Sequence, residues 1–455
     1  MCILISMLAE LEIETPIETA KETIDTLKQP TPSFELPKIR NCNGSYFEPD
    51  IKETNHVNFE YDQYSSSAMS QLKKNFDKYS SAEKREILDK HEALGLENIA
   101  FNVFSKDKDF KGDYTNKNVY VLLHGWTANK DIFSEVSMSG GISVVEQIMA
   151  MDPDAVIICP DGNGFGKSLF REDVKAKKNF GEYCTSEAYA KQMDFLIRDV
   201  LKVPLEQVTV AGHSMGGAAT YQLMKNEDYK NGVAMAPAAF PSAETIRRFK
   251  EKAKNIGYAN IESVLKQFNI NGSALLYNIL GSSVTLGNNI RELGGKLPAP
   301  FVEKIVENIF TIITPYLMGK TIEGAKQTDG KIINSLTGIH SVEITPEKYK
   351  VVSEAIKQLG KGIDYSNWKP DDYDAFIKVI TYWGTEDVLV QPNDLEGNIL
   401  MAFMGAMGTA KQDIIDHALS QNLEDSQKIV GGHYSTVYNP VVIADIVKLG
   451  RSPRH

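Results

Sequence analysis

The stretch V208-T-V-A-G-H-S-M-G-G-A-A-T-Y-Q-L-M224 runs an apolar segment into G-H-S-M-G-G. Val208, Val210 and Ala211 form a strand-like run before Gly212, and Met215 to Ala219, Leu223 and Met224 follow at helical spacing. Strand, sharp turn and helix are the context in which a serine stands exposed on a strained elbow. The motif alone is weak: with Gly and Ser each near ~7% of residues, G-x-S-x-G arises by chance in roughly one chain in seven of this length. The context assigns Ser214 as a candidate nucleophile. Gly212 and Gly216 are expected where the strand and helix backbones approach closely.

Outward from this stretch, strand-like and helix-like segments alternate. Val119–Leu123, Ala155–Cys159, Val208–Ala211, Gly232–Ala236, Phe376–Trp383 and Lys428–Val430 read as strands. Ser66–Leu94 reads as helical, with Met69, Leu72, Phe76 and Tyr79 on one face and Ser81 capping a second helix through Leu88. Ile99–Phe104 follows as a strand. Thr185 and Ser186 cap a helix lined by Tyr189, Met193, Leu196, Ile197 and Val200, and a last helix follows Pro440. The alternation predicts an α/β fold, a mostly parallel sheet with helices on both faces.

Residues 1–45 read as an N-terminal extension, broken by Pro30, Pro32 and Pro37, with a short helix only over Ile17–Leu27. Residues 46–238 form the first part of the core and 373–455 its C-terminal part. The intervening 239–372 segment reads as a large helical cap insertion. It carries Ile246 and Phe249, then Ile261, Val264 and Phe268, then an apolar face of Phe301, Val302, Ile305, Val306, Ile309 and Phe310 up to Pro315.

The 455 residues carry a formal charge of −11, which argues against nucleic acid as a partner. Cys2, Cys42, Cys159 and Cys184 have neither zinc spacing nor a disulfide framework, and reduced thiols are expected, with Cys159 a small core residue. No stretch approaches ~18 consecutive apolar residues, so no membrane span is expected. The apolar start MCILISML lacks a preceding basic residue and makes a poor secretory signal. A cytoplasmic location is expected, with export by a signal-independent route left open. No cofactor and no metal site are expected. PDGNGFGKS at 160–168 lacks the spacing of a phosphate loop.

A serine nucleophile needs a base, an orienting acid and donors for an oxyanion. Of the eight histidines, His433 in KIVGGHYST follows the last strand. His56 and His91 precede the sheet, His340 lies in the insertion, His417 in an amphipathic helix and His455 at the terminus. His213 is the elbow's variable position, facing away from the serine's role, and His124 is a loop-organising residue. Asp387 follows the Phe376–Trp383 strand, with Glu386 and Asp394 as competitors. The backbone N–H groups of Trp126, after Val119–Leu123, and of Met215 are the natural oxyanion pair. Met401, Met404 and Met407 in ILMAFMGAMG read as core packing ahead of an acyl-pocket lining.

HGW at 124–126, PDGNGFGKS at 160–168, GHSMGG at 212–217, GTED at 384–387 and GGH at 431–433, in that order, resemble the α/β-hydrolase superfamily. The resemblance covers roughly residues 99–240 and 373–450. HGWTANKD is most similar to its carboxylesterase and monoacylglycerol-lipase branches. It implies an eight-stranded type of sheet, a triad of Ser214, Asp387 and His433, and hydrolysis of carboxylic esters of small molecules or lipids through an acyl-enzyme, with at most transient contact with a membrane surface. An acyltransferase or thioesterase with the same triad is the alternative among enzymes. A catalytically inactive binding protein on the same fold is the alternative outside them.

Overall fold

The computed structural model describes residues 39–40, 46–47, 62–107, 110–134, 143–226, 228–255, 348–385, 387, 389–390, 427–429 and 433–452. Apart from a two-residue antiparallel ladder between Ile39–Arg40 and Tyr46–Phe47, its strands form one eight-stranded sheet. These are β1 (Asp62–Ser67), β2 (Ala100–Ser105), β3 (Asn118–Leu123), β4 (Ala155–Pro160), β5 (Val208–His213), β6 (Asn231–Met235), β7 (Val379–Gly384) and β8 (Lys428–Ile429). The spatial order is β8-β7-β6-β5-β3-β4-β2-β1. β2 runs antiparallel to both β1 and β4, and the remaining neighbours are parallel.

Between the strands lie α1 (Ala68–Asn75), α2 (Ser81–Ala93), α3 (Val144–Met151), α4 (Ser186–Asp194), α5 (Met215–Met224), α6 (Ala243–Asn255) and α7 (Tyr349–Lys361), and α8 (Pro440–Arg451) follows β8. The central strands are buried on both faces, which is why their sequences are continuous apolar runs. On β3, Val119, Val121 and Leu123 enter one core cluster while Tyr120 and Leu122 enter the other. α4 and α5 cover the first face with Tyr189, Met193, Ala218 and Leu223. α3 and α8 cover the second with Val145, Ile148, Ile443 and Ile446. Cys159 and Cys184 are buried free thiols.

Three sequence expectations are corrected. Ser66 and Ser67 belong to β1, an edge strand whose DQYSSS sequence has no apolar alternation, and the helical pattern then breaks at a 3₁₀ turn, Phe76–Lys78. The cap of α2 is Ser80, which forms a capping box with Glu83. Phe376–Lys378 lie in a helical turn, Ala375–Lys378, because the Phe376 ring is drawn into a cluster with Tyr221, Tyr365, Trp368 and Tyr373.

The segment between β6 and β7 is closed at its neck. Ile363 N–H donates to Phe240 O at 2.8 Å and Ser242 N–H donates to Ile363 O at 2.8 Å. The Tyr365 hydroxyl adds a bond to Ala239 O at 2.6 Å. α6 and α7 lie in this segment, and α7 buries Val351, Val352, Ala355 and Ile356 in the main core. The expected helices carrying Ile261 to Phe310, the Met401–Met407 patch and the Ile17–Leu27 helix lie outside the described residues.

Candidate active site

The elbow is built as the glycine pattern implies. Ser214 has φ 53° and ψ −112° and is the N-cap of α5. A non-glycine residue in this region costs about 1–3 kcal/mol, so its surroundings must hold it there. Ser214 N–H donates to Met235 O at 2.9 Å, and Ser214 O accepts from Ala218 N–H and Ala238 N–H, both at 3.0 Å. A methyl on Gly212 would overlap Gly216 O, and one on Gly216 would overlap Leu123 O. Ser214 retains 6% exposure.

Asp387 lies just past the carboxyl end of β7. Its Oδ1 accepts the N–H groups of Leu389 at 2.8 Å and Val390 at 3.0 Å. Its Oδ2 is 2.7 Å from Nδ1 of His433, which lies beyond β8. Both side chains are buried. A carboxylate can only accept here, so Nδ1 carries the proton and Nε2 is left with its lone pair. Glu386 and Asp394 lie outside the described residues.

His213, the residue before Ser214, is in contact with His433. His213 Nε2 is 3.0 Å from His433 O, so the ring nitrogen donates. The two imidazole centroids are 4.6 Å apart, and Tyr434 packs on His213 at 4.8 Å. Among the described residues, Ser214 Oγ makes no direct hydrogen bond to the His433 ring; such bonds are often long without substrate and tighten when it binds. His213 therefore faces His433, whereas the sequence reading has it facing away from the site. Burial first, and His433 second, hold its pKa well below the ordinary histidine value.

The loop after β3 lies directly on this elbow. A methyl on Gly125 would come within 3.2 Å of Ser214 Cβ and 3.0 Å of His213 Nδ1. His124 accepts Gly162 N–H on Nε2 at 3.1 Å and donates from Nδ1 to Gly125 O at 2.8 Å. Burial lowers its pKa to about 4, so it stays neutral and can keep both roles. The Trp126 indole N–H donates to Val352 O at 2.9 Å, tying this loop to α7. Met215 is the first residue of α5, where an N–H has no intrahelical acceptor and the helix dipole favours negative charge.

Sequence reading also passed over Asp161, the Asp of PDGNGFGKS. Its buried carboxylate accepts Lys130 N–H at 2.6 Å and Lys167 N–H at 2.8 Å, knotting the loop after β3 to the loop after β4. Lys348, just before α7, donates to Gly166 O in the same loop at 2.7 Å. The signal was present in the motif, whose third glycine, Gly166, leaves room for that carboxylate: a methyl there would overlap it.

The other described histidine, His91, is buried on α2, and His56, His340, His417 and His455 lie outside the described residues. Among the described residues no cluster of His, Cys, Asp and Glu could hold a metal ion, and no helix is long and apolar enough to cross a membrane. A cavity of about 650 Å³ between α2, α4 and α5, lined by Lys90, Glu187, Asp194 and Arg198 among others, lies away from Ser214.

No protein-family model matches the sequence, and no curated protein sequence matches it. Three solved structures align with much of the chain at low identity. An α/β hydrolase enzyme from a Medee basin deep-sea metagenome library is 12% identical, with 79% of this chain and 96% of that chain covered and a TM-score of 0.45. The acetyl esterase MekB is 13% identical, with 78% and 91% covered and a TM-score of 0.45. A thermophilic esterase from Thermogutta terrifontis is 14% identical, with 72% and 94% covered and a TM-score of 0.38. The basis for assignment is the molecule's own strand order, its single reversed strand β2 and its strand–serine–helix turn; by these the chain has the α/β-hydrolase fold.

Proposed function

We propose that the protein is a serine hydrolase that cleaves carboxylic esters. The observation that carries the reading is one arrangement: a serine at φ 53° on the elbow after β5, whose preceding residue, His213, packs on the ring of His433, itself buried and 2.7 Å from Asp387. In this reading His433 Nε2 takes the proton from Ser214 Oγ as the oxygen attacks the ester carbonyl. Asp387 holds the imidazole in the required tautomer and stabilises the imidazolium that forms. The backbone N–H groups of Trp126 and Met215 receive the oxyanion. The imidazolium then protonates the departing alcohol, and water, activated by the same imidazole, cleaves the acyl-enzyme.

Reaction with a fluorophosphonate probe tests the assignment. The expected adduct, located by mass spectrometry, is on Ser214. Ser214→Ala is expected to fold, to resist the probe and to lose on the order of 10⁴–10⁶ in kcat. An adduct on another residue, or an active Ser214→Ala protein, overturns it. Esters of graded chain length then define the acyl site: each CH₂ buried is worth about 0.8 kcal/mol, nearly fourfold in kcat/KM, until the pocket is full. A rate that climbs from acetate to medium chains supports an apolar acyl chain, and a preference for acetate throughout removes the lipid reading.

A further inference from the structure

The elbow carries two residues that touch the proposed chemistry, and only one of them is the nucleophile. His213 immediately precedes Ser214, its Nε2 lies 3.0 Å from the main-chain oxygen of His433, and its ring packs on the His433 ring at 4.6 Å. The His433 side chain is fixed from the other end by Asp387. Its main-chain oxygen also accepts from the Thr436 hydroxyl at 3.4 Å, a longer bond. On the far side of the His213 ring the Gly125 backbone packs close, and a methyl there would come within 3.0 Å of Nδ1.

We propose that His213 is a positioning residue, whose Nε2–H holds the main chain at His433 and so sets where the base stands relative to Ser214. Because residues 213 and 214 are covalent neighbours on one rigid strand end, nucleophile and base are referenced to the same piece of backbone. A displacement of about 1 Å between reacting groups costs on the order of 10²-fold, so this single bond has leverage on rate rather than on substrate affinity. The inference rests on the serine-hydrolase reading.

The test uses the full-length protein with p-nitrophenyl acetate and butyrate, rates being expressed per site titrated by fluorophosphonate. His213→Phe keeps a ring against His433 and Tyr434 but removes the donor; His213→Gln restores a donor near the place of Nε2. The expected result is a fall of roughly 10- to 100-fold in kcat for His213→Phe with KM within about twofold, and recovery to within about fivefold of wild type for His213→Gln. Unchanged kcat per titrated site in His213→Phe overturns the proposal, as does a Gln variant as slow as the Phe variant, since shape alone would then matter. Should His213→Phe show no cooperative melt, His213→Asn, whose amide stops short of the carbonyl, takes its place with the same two outcomes. Ser214→Ala is run alongside: if it stays active, the serine-hydrolase reading fails and takes this proposal with it, whereas an inactive Ser214→Ala beside a fully active His213→Phe removes the positioning role alone.

Discussion

The carboxylate of Asp387 is committed on both oxygens: Oδ1 to two backbone N–H groups and Oδ2 to the His433 ring. This makes Asp387→Asn a sharper test than its size suggests. The Asn oxygen is needed by Leu389 and Val390, so its NH₂ must face Nδ1 of His433. A donor there forces the proton onto Nε2, and the imidazole can no longer accept from Ser214. Retained fold with a loss on the order of 10⁴ in kcat is expected, read by steady-state kinetics alongside circular dichroism. A loss under tenfold would assign the acid elsewhere, to Glu386 or Asp394. The residues at the carboxyl ends of strands were legible in the sequence because position relative to a strand end is a local property. Ser214, Asp387 and His433 each stand there. His213 was misread because its partner is 220 positions away in the chain, and no local pattern reports which way an elbow side chain turns.

Elements fared according to how far their burial marks their sequence. β3, β4 and β5 are buried on both faces and read as apolar runs; β1 lies at an edge, is half-exposed and polar, and gives no period-2 signal. α3 did carry a signal that apolar runs do not capture: Ser143 three residues before Glu146, which together form a capping box. The loops between elements are ordered by charge rather than by pattern. Asp161 joins two of them through Lys130 N–H and Lys167 N–H, one on each carboxylate oxygen. Asp161→Asn turns an amide NH₂ toward one of these donors and leaves it unpaired in a buried place. The expected cost is about 1–3 kcal/mol, seen as a lower urea midpoint at unchanged slope. The loop after β3 also carries Trp126, so a fall in kcat should accompany the loss; a variant as stable as wild type would mean that the knot is dispensable.

At the scale of the whole molecule, two buried neutral histidines couple the fold to pH. His124 has its pKa lowered to about 4, chiefly by burial, and His213 is likewise held well below 6.5. In the unfolded chain both take up a proton below about pH 6.5, while in the folded protein they do not. The unfolded state therefore binds more protons between about pH 6.5 and 4, and stability must rise with pH across that window. His124 alone accounts for on the order of 3 kcal/mol, present above pH 6.5 and lost as pH falls toward 4. Asp161, whose pKa burial raises, acts in the opposite sense and blunts the effect only at the acid end. Urea midpoints should drop steadily from pH 7 to pH 5, and less steeply in His213→Phe; a flat profile would contradict the buried neutral state of these rings. The sheet that holds them was foreseeable from alternation, whereas the closure of the insertion at Phe240, Ser242 and Ile363 depends on residues more than a hundred positions apart. With both ends of a loop pinned together, doubling its length costs only about 0.6 kcal/mol of closure entropy. The bonds among Phe240, Ser242 and Ile363 therefore let the chain between them change in length at little cost to the sheet beneath.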